Sequence, residues 1–185
     1  MSLEIVCSNT APLWHLGRVK EEYKVRSLEL IKEVYGKIYV PKAVVSELGI
    51  RFKVDGTISF IGGYAPQSAR NYVLAETKIM GVNDTSLVEN LMKQYRLGRG
   101  ECETLVLAKE LGIAECLLAN DGAEEMFDKE KQSYKNIVPF IDFCFQQGVT
   151  NKAETYSYLK ALWDIGYKEK KYLSVFNKYG IGIKQ

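Results

Sequence analysis

Residues 97–121, LGRGECETLVLAKELGIAECLLAND, constrain the fold more than any other stretch. They read as a glycine turn, a helix, a tight loop and an apolar strand that ends on an acid. Gly98 and Gly100 permit a sharp entry into the helix. From Cys102 the apolar positions run through Leu105, Ala108 and Leu111, widened by Val106 and Leu107, the spacing of a helix with one buried face. Gly112 stops it. Residues 116–119, CLLA, then form a run without a polar break, as in a strand covered on both faces. Glu101 lies in the helix's first turn and Asp121 just past the strand's carboxyl end. Ligands of open α/β sheets bind outside those carboxyl ends, so a hydrophilic ligand or a metal is expected there.

The rest of the chain repeats the alternation. Residues 3–7, LEIVC, form a short apolar strand, followed by the cap-type residues Ser8, Asn9 and Thr10 and by Pro12 in a helix's first turn. Leu13, Trp14, Leu16 and Val19 supply that helix's buried side. Residues 28–35 read as a helix ended by Gly36, and residues 37–40, KIYV, as a second strand. Pro41 opens another helix, with Ala43, Val44 and Leu48 inward and Glu47 beside Leu48. Residues 51–63 are glycine-rich and read as a hairpin or a loop. Residues 69–81 are helical by propensity, although TKIMGV suits a strand. Leu87, Val88, Leu91 and Tyr95 mark a helix capped by Asn83 or Asp84. Beyond Asp121 the patterns predict a helix over 123–131, a last strand over 137–140, a short helix over 141–147, a helix over 151–165 and one more over 168–179. Short apolar strands alternating with helices predict a three-layer α/β/α domain with a mainly parallel central sheet.

Length and charge narrow the function. The 185 residues suit one domain with a proper core. A formal net charge of +2 creates no large basic field, so charge alone does not point to long-range capture of nucleic acid. Cys7, Cys102, Cys116 and Cys144 form no C-x-x-C pair, and the lone His15 forms no metal-ligand spacing with them, which argues against a zinc site. Buried free thiols and the lack of a signal-peptide pattern lead to the expectation of a reducing cytoplasm. No apolar run approaches membrane-spanning length.

Four polar positions share one topology. Asn9 ends the first strand, Glu47 lies on the helix after the second, Glu101 opens the helix before a later strand, and Asp121 ends that strand. If the first strand and residues 116–119 are sheet neighbours, Asn9 and Asp121 lie side by side with Glu101 overhanging them. Clustered carboxylates persist only with a cation or with raised pKa values. Oxygen donors without His or Cys select a hard metal, Mg²⁺ or Mn²⁺. The chemistry natural to such a site is metal-assisted hydrolysis of a phosphodiester.

The stretches SNTAPLWHL, YGKIYVPKAVVSEL, LGRGECETLVLAKELG and CLLAND, in this order and spacing, resemble the PIN domain family. The tail LKALWDIGYKEKKYLSVFNKYG resembles the C-terminal helical hairpin of a prokaryotic branch of that family, while residues 51–82 match poorly. The resemblance implies a PIN-like, Rossmann-like α/β domain over residues 1–148 and a helical extension, 149–185, packed on it. It implies an Mg²⁺- or Mn²⁺-dependent ribonuclease, often the toxin of a toxin–antitoxin pair. RNA, an antitoxin-like protein and a second copy in a homodimer are the implied partners, with no membrane. Carried over by position, Asn9 stands at the family's first acid, and Glu47, Glu101 and Asp121 at the second, third and fourth, these three being the implied metal ligands. Thr10 matches the small hydroxyl residue beside the first acid, and Ala11 replaces a common serine. Asn9 offers an oxygen but no charge, so a second metal is harder to hold.

Each residue also has a plain role. Asn9 is a good N-cap, Glu101 favours the helix dipole, Glu47 suits a solvated helix face, and Asp121 before Gly122 suits a turn. His15 is expected in a structural role, the tyrosines of the last third in packing, and Lys168, Lys170 and Lys171 on a solvated face. Two readings follow: a metal-dependent ribonuclease, or a PIN-fold module with a weakened site that binds RNA or protein. A phosphohydrolase on another Rossmann-like fold ranks last, because the first strand lacks an aspartate nucleophile and there is no glycine-rich phosphate loop.

Overall fold

The computed structural model describes residues 5–119 and 122–181. Strand β1 (Ile5–Ser8) leads into helix α1 (Thr10–Tyr23), and α2 (Glu29–Tyr35) leads through the left-handed Gly36 into β2 (Lys37–Pro41). Helix α3 (Lys42–Glu47) follows directly. The glycine-rich stretch is an antiparallel hairpin of β3 (Ile50–Phe52) and β4 (Ile58–Phe60). Its turn is fixed by Asp55, whose carboxylate accepts from the backbone N–H and hydroxyl of Thr57, and by Gly56 at φ +81°. Residues 69–81 contain both features their sequence suggested, the end of helix α4 (Gln67–Glu76) and strand β5 (Lys78–Met80).

Helix α5 (Thr85–Tyr95) is capped by Asp84, which accepts from the Leu87 N–H. Helix α6 (Arg99–Leu111) ends at left-handed Gly112, and strand β6 (Glu115–Leu118) follows. Helix α7 (Glu124–Lys129), strand β7 (Ser133–Asn136) and helix α8 (Ile137–Gln146) come next. The tail is α9 (Lys152–Asp164), opened by an Asn151–Glu154 capping box, a 3₁₀ turn at Lys170–Tyr172, and α10 (Leu173–Lys178). Trp163 of α9 meets Phe176 of α10 edge-on.

The central sheet is parallel throughout, in the order β5-β2-β1-β6-β7. Cys7 pairs with Cys116 and Ser8 with Leu117, so the first strand and residues 116–118 are neighbours. Alternate side chains feed two cores. Val6 and Leu117 join Leu13, Leu16, Phe140, Leu159 and Phe176 on one face. Cys7, Cys116 and Leu118 join Val88, Leu91, Leu105 and Phe127 on the other. This two-sided burial is why β1 and β6 carry unbroken apolar runs. All four cysteines are free and buried. Among the described residues, no helix is long and apolar enough to cross a membrane.

One element differs from expectation. Residues 137–140, IVPF, do not form the last strand; they open α8, and the strand is the polar run Ser133–Asn136 before them. Ile137, Val138, Phe140, Ile141 and Cys144 are the buried residues of α8, at helical and not alternating spacing. Pro139 falls in the first helical turn, where no backbone donor is required. Among the described residues β7 pairs with β6 alone, and an edge strand tolerates polar side chains.

Candidate functional site

Two strands, β1 and β2, and the start of helix α6 bring residues to one edge of the sheet. At the end of β1, Asn9 is buried, and its N–H donates to the Leu117 carbonyl of β6 at 3.1 Å. Its side-chain oxygen accepts from the Thr10 N–H at 2.6 Å, which makes it the N-cap of α1. At the end of β2, α3 runs for a turn and a half and finishes on Glu47. The start of α6 lies opposite, with Glu101 in its first turn.

Glu47 is held from two sides. One carboxylate oxygen accepts from the Gly100 N–H at 2.9 Å, and the other accepts from the Thr10 hydroxyl. A Cβ on Gly100 would lie 2.4 Å from Oε2 and 2.6 Å from Oε1 of Glu47, and a Cβ on Gly98 would lie 2.7 Å from Oε2 of Glu101. The two glycines were expected to relieve a turn. Neither adopts a left-handed conformation, and what they provide is room for the two carboxylates.

Asn9, Thr10, Trp14, His15, Glu47 and Glu101 line a cavity of about 240 Å³, together with Ala11. Sequence reasoning thus placed Asn9, Glu47 and Glu101, and the structure brings all three together. Asp121 lies outside the described residues, which resume at Gly122 after Ala119. Glu103, two positions on from Glu101, turns to α3. Its carboxylate accepts from the Ala43 N–H at 3.0 Å and from Arg99 Nε at 2.8 Å, and the residue is 6% exposed. The acid therefore satisfies a donor that the opening of α3 leaves without a helical partner. Sequence reasoning missed this role, and the acid spacing on α6 was its only visible sign.

The electrostatics favour oxygen ligation. Burial pushes the His15 imidazole down to about 4, with the neighbouring Arg18 charge adding to the effect, so the ring is neutral at ordinary pH. It packs edge-on between Trp14 and Tyr167. Burial, then the charges of Glu101 and Glu103, push the Cys102 thiol up to about 12, so it supplies no thiolate. Among the described residues no three His, Cys, Asp or Glu side chains gather as a metal cluster; the carboxylates at the cavity are a pair. Two carboxylates beside an amide oxygen are hard donors, and Mg²⁺ is commonly held by one or two carboxylates completed by water. The donor set therefore fits such a cation.

A family model described as a PIN domain matches residues 5–157. No curated protein and no solved structure matches the chain.

Proposed function

The chain belongs to the PIN domain family, a nuclease-type fold, and on that premise we propose that it is a divalent-metal-dependent ribonuclease. The observation that carries this reading is the meeting of Glu47 and Glu101 with Asn9 in one cavity at the sheet's carboxyl edge. Glu47 and Glu101, with Asp121 from the segment after β6, would hold Mg²⁺ or Mn²⁺. Bound there, the cation supplies Lewis-acid chemistry, polarising a phosphoryl oxygen and making water nucleophilic near neutral pH. Asn9 contributes a neutral oxygen that orients water. Thr10 and the Gly100 N–H fix the Glu47 carboxylate in one position, which removes reorganisation from the reaction. His15, held down to about 4 by burial and by the Arg18 charge, is neutral at ordinary pH, and no proton transfer is assigned to it. RNA is the substrate, and an antitoxin-like protein and a second copy of the chain are proposed as partners on the same premise.

One observation favours a second reading, a PIN-fold module that binds RNA or protein without cutting. Asn9 is uncharged, and its side-chain oxygen already accepts from Thr10. Labelled RNA incubated with Mn²⁺, with and without chelator, separates the two when a Glu101→Ala protein is run beside the wild type. Chelator-sensitive cleavage lost in the variant supports the nuclease. Equal cleavage by both proteins refutes it, and binding without cleavage supports the module.

A further inference from the structure

The tail reaches the carboxyl edge of the sheet at three points. Tyr167, buried in the loop after α9, sets its ring edge-on to His15 at 4.8 Å, and His15 lines the cavity. A few residues on, Lys171 and Tyr172 of the 3₁₀ turn arrive on the far side of β6. There the Lys171 ammonium donates to the Glu124 carboxylate at the opening of α7. Buried Tyr172 turns its hydroxyl to Asn136, the last residue of β7, and to the charge of Glu124. All three tail residues lie beyond 5–157, the stretch matched to the family.

The strand register shows what they meet. Ser8 pairs with Leu117 and Leu118 with Asn136, so Asn9 and Asn136 stand at one level on either side of β6. With neighbouring strands about 4.8 Å apart, their backbones are separated by ~10 Å. Each precedes a helix, but they are used differently. Asn9 caps α1 with its own side chain, whereas the Asn136 side chain makes no cap bond to α8. Its amide donates to Glu124 instead. Glu124 thus gathers Asn136 from the sheet and Lys171 from the tail. A carboxylate in a helix's first turn needs neither for the helix's sake, because the N–H groups there already favour it. Nor does the fold gain much from the ion pair, since Lys171 and Glu124 are 38% and 26% exposed and such pairs contribute little. What the contacts supply is a fixed direction for the start of α7. Asp121, assigned above to the cation, precedes Glu124 by three positions. Three residues span at most ~11 Å, so holding Glu124 limits where that acid can stand.

We propose that residues 167–172 brace the candidate site along its carboxyl edge, with Lys171 and Tyr172 as positioning residues that act through Glu124 and Asn136. Neither touches the cation or the substrate. The consequence for catalysis rests on the nuclease reading; the brace itself does not. Lys171, expected on a solvated face, instead ties the tail to the working edge of the sheet.

The test uses the full chain carrying Lys171→Ala, Lys171→Arg or Tyr172→Phe. Amide hydrogen exchange over residues 122–129, read by mass spectrometry, reports the brace. Mn²⁺ titration calorimetry and the kcat and KM of RNA cleavage report the site. In Lys171→Ala, exchange over 122–129 is faster while that over α1 and α9 is unchanged. Mn²⁺ affinity or kcat falls by roughly 10- to 100-fold, the cost of losing a partner behind a ligand, and KM is unmoved. Tm stays within about 4 °C of the wild type, as for any partly exposed ion pair. Lys171→Arg keeps the wild-type values, and Tyr172→Phe, which keeps the ring, moves the same readouts in the same direction. Unchanged exchange over 122–129 in both Lys171→Ala and Tyr172→Phe overturns the brace. Faster exchange with Mn²⁺ affinity and kcat unmoved assigns the contact to the fold alone and overturns the positioning role. Failure of the nuclease reading is distinguishable: the wild type neither binds Mn²⁺ nor cuts RNA, yet Lys171→Ala still speeds exchange over 122–129, which upholds the brace.

Discussion

Replacing Gly100 with alanine should separate activity from stability. The new Cβ would sit 2.4 Å from Glu47 Oε2, whereas ordinary contact begins near 3.4 Å, so the carboxylate must retreat by about 1 Å. That movement breaks the 2.9 Å bond from the Gly100 N–H and pulls against the Thr10 hydroxyl. On the stability side two terms oppose. Alanine within α6 gains up to ~1 kcal/mol of helix propensity. The lost bond to a charged acceptor costs ~1.5–3 kcal/mol when buried, and less here because Glu47 is exposed and water replaces the donor. The two nearly cancel, and Tm stays within ~2–4 °C of the wild type. Function has no such compensation. A displaced ligand costs about 10- to 100-fold in metal affinity and about 100-fold in turnover. The assay pairs thermal unfolding with cleavage of labelled RNA across a Mn²⁺ titration. Wild-type cleavage with an unmoved Mn²⁺ midpoint would falsify the view that Glu47 works from this one position. A collapse in Tm would show instead that the Glu47–Gly100 contact is structural.

Asn9→Asp keeps the α1 cap and adds a charge to the cavity, so Mn²⁺ should bind more tightly, as isothermal titration would show; weaker binding contradicts the placement of Asn9 at the metal. Glu103→Ala removes a buried carboxylate that serves the Ala43 N–H and Arg99, and should cost about 2 kcal/mol in urea unfolding; a change under half of that means α3 holds without its clip. His15 has its pKa depressed from 6.5 to about 4 by burial and then by Arg18, so the unfolded chain binds the extra proton first. Stability from this residue is complete above pH 6.5, falls as pH drops through that value, and is lost by about pH 4, a total of about 3 kcal/mol. In His15→Gln the Tm difference between pH 7 and pH 4.5 should shrink; an unchanged difference removes His15 as the source.

Much of this was legible in the sequence because local pattern and topology agreed. The apolar runs of β1 and β6, the Asn9 cap and the Gly112 stop each followed from residue type, and adjacency of the two strands then placed Asn9 beside β6. Glu47 and Glu101 were visible as acids on helices that follow or precede strands. What pairs them was not, since Thr10, Glu47 and Gly100 are separated by 37 and 53 positions and no periodicity links them. Glu103 was equally opaque, as its partner Ala43 is 60 residues away. The last strand was misplaced because an apolar tetrapeptide containing proline looks more strand-like than the polar SYKN that actually pairs with β6. Asp121 was read as the fourth acid and lies outside the described residues.

Helix α3 is clasped by α6 at both ends, through Ala43 to Glu103 and through Glu47 to Gly100. The hairpin begins only after the second clasp, at Ile50. Sequence between Phe52 and Ile58 can therefore be lengthened, trimmed or exchanged with little disturbance of the carboxylates. For an engineer this makes the tip a graft point, where a different loop could redirect the protein to another target while the acidic pair stays in register.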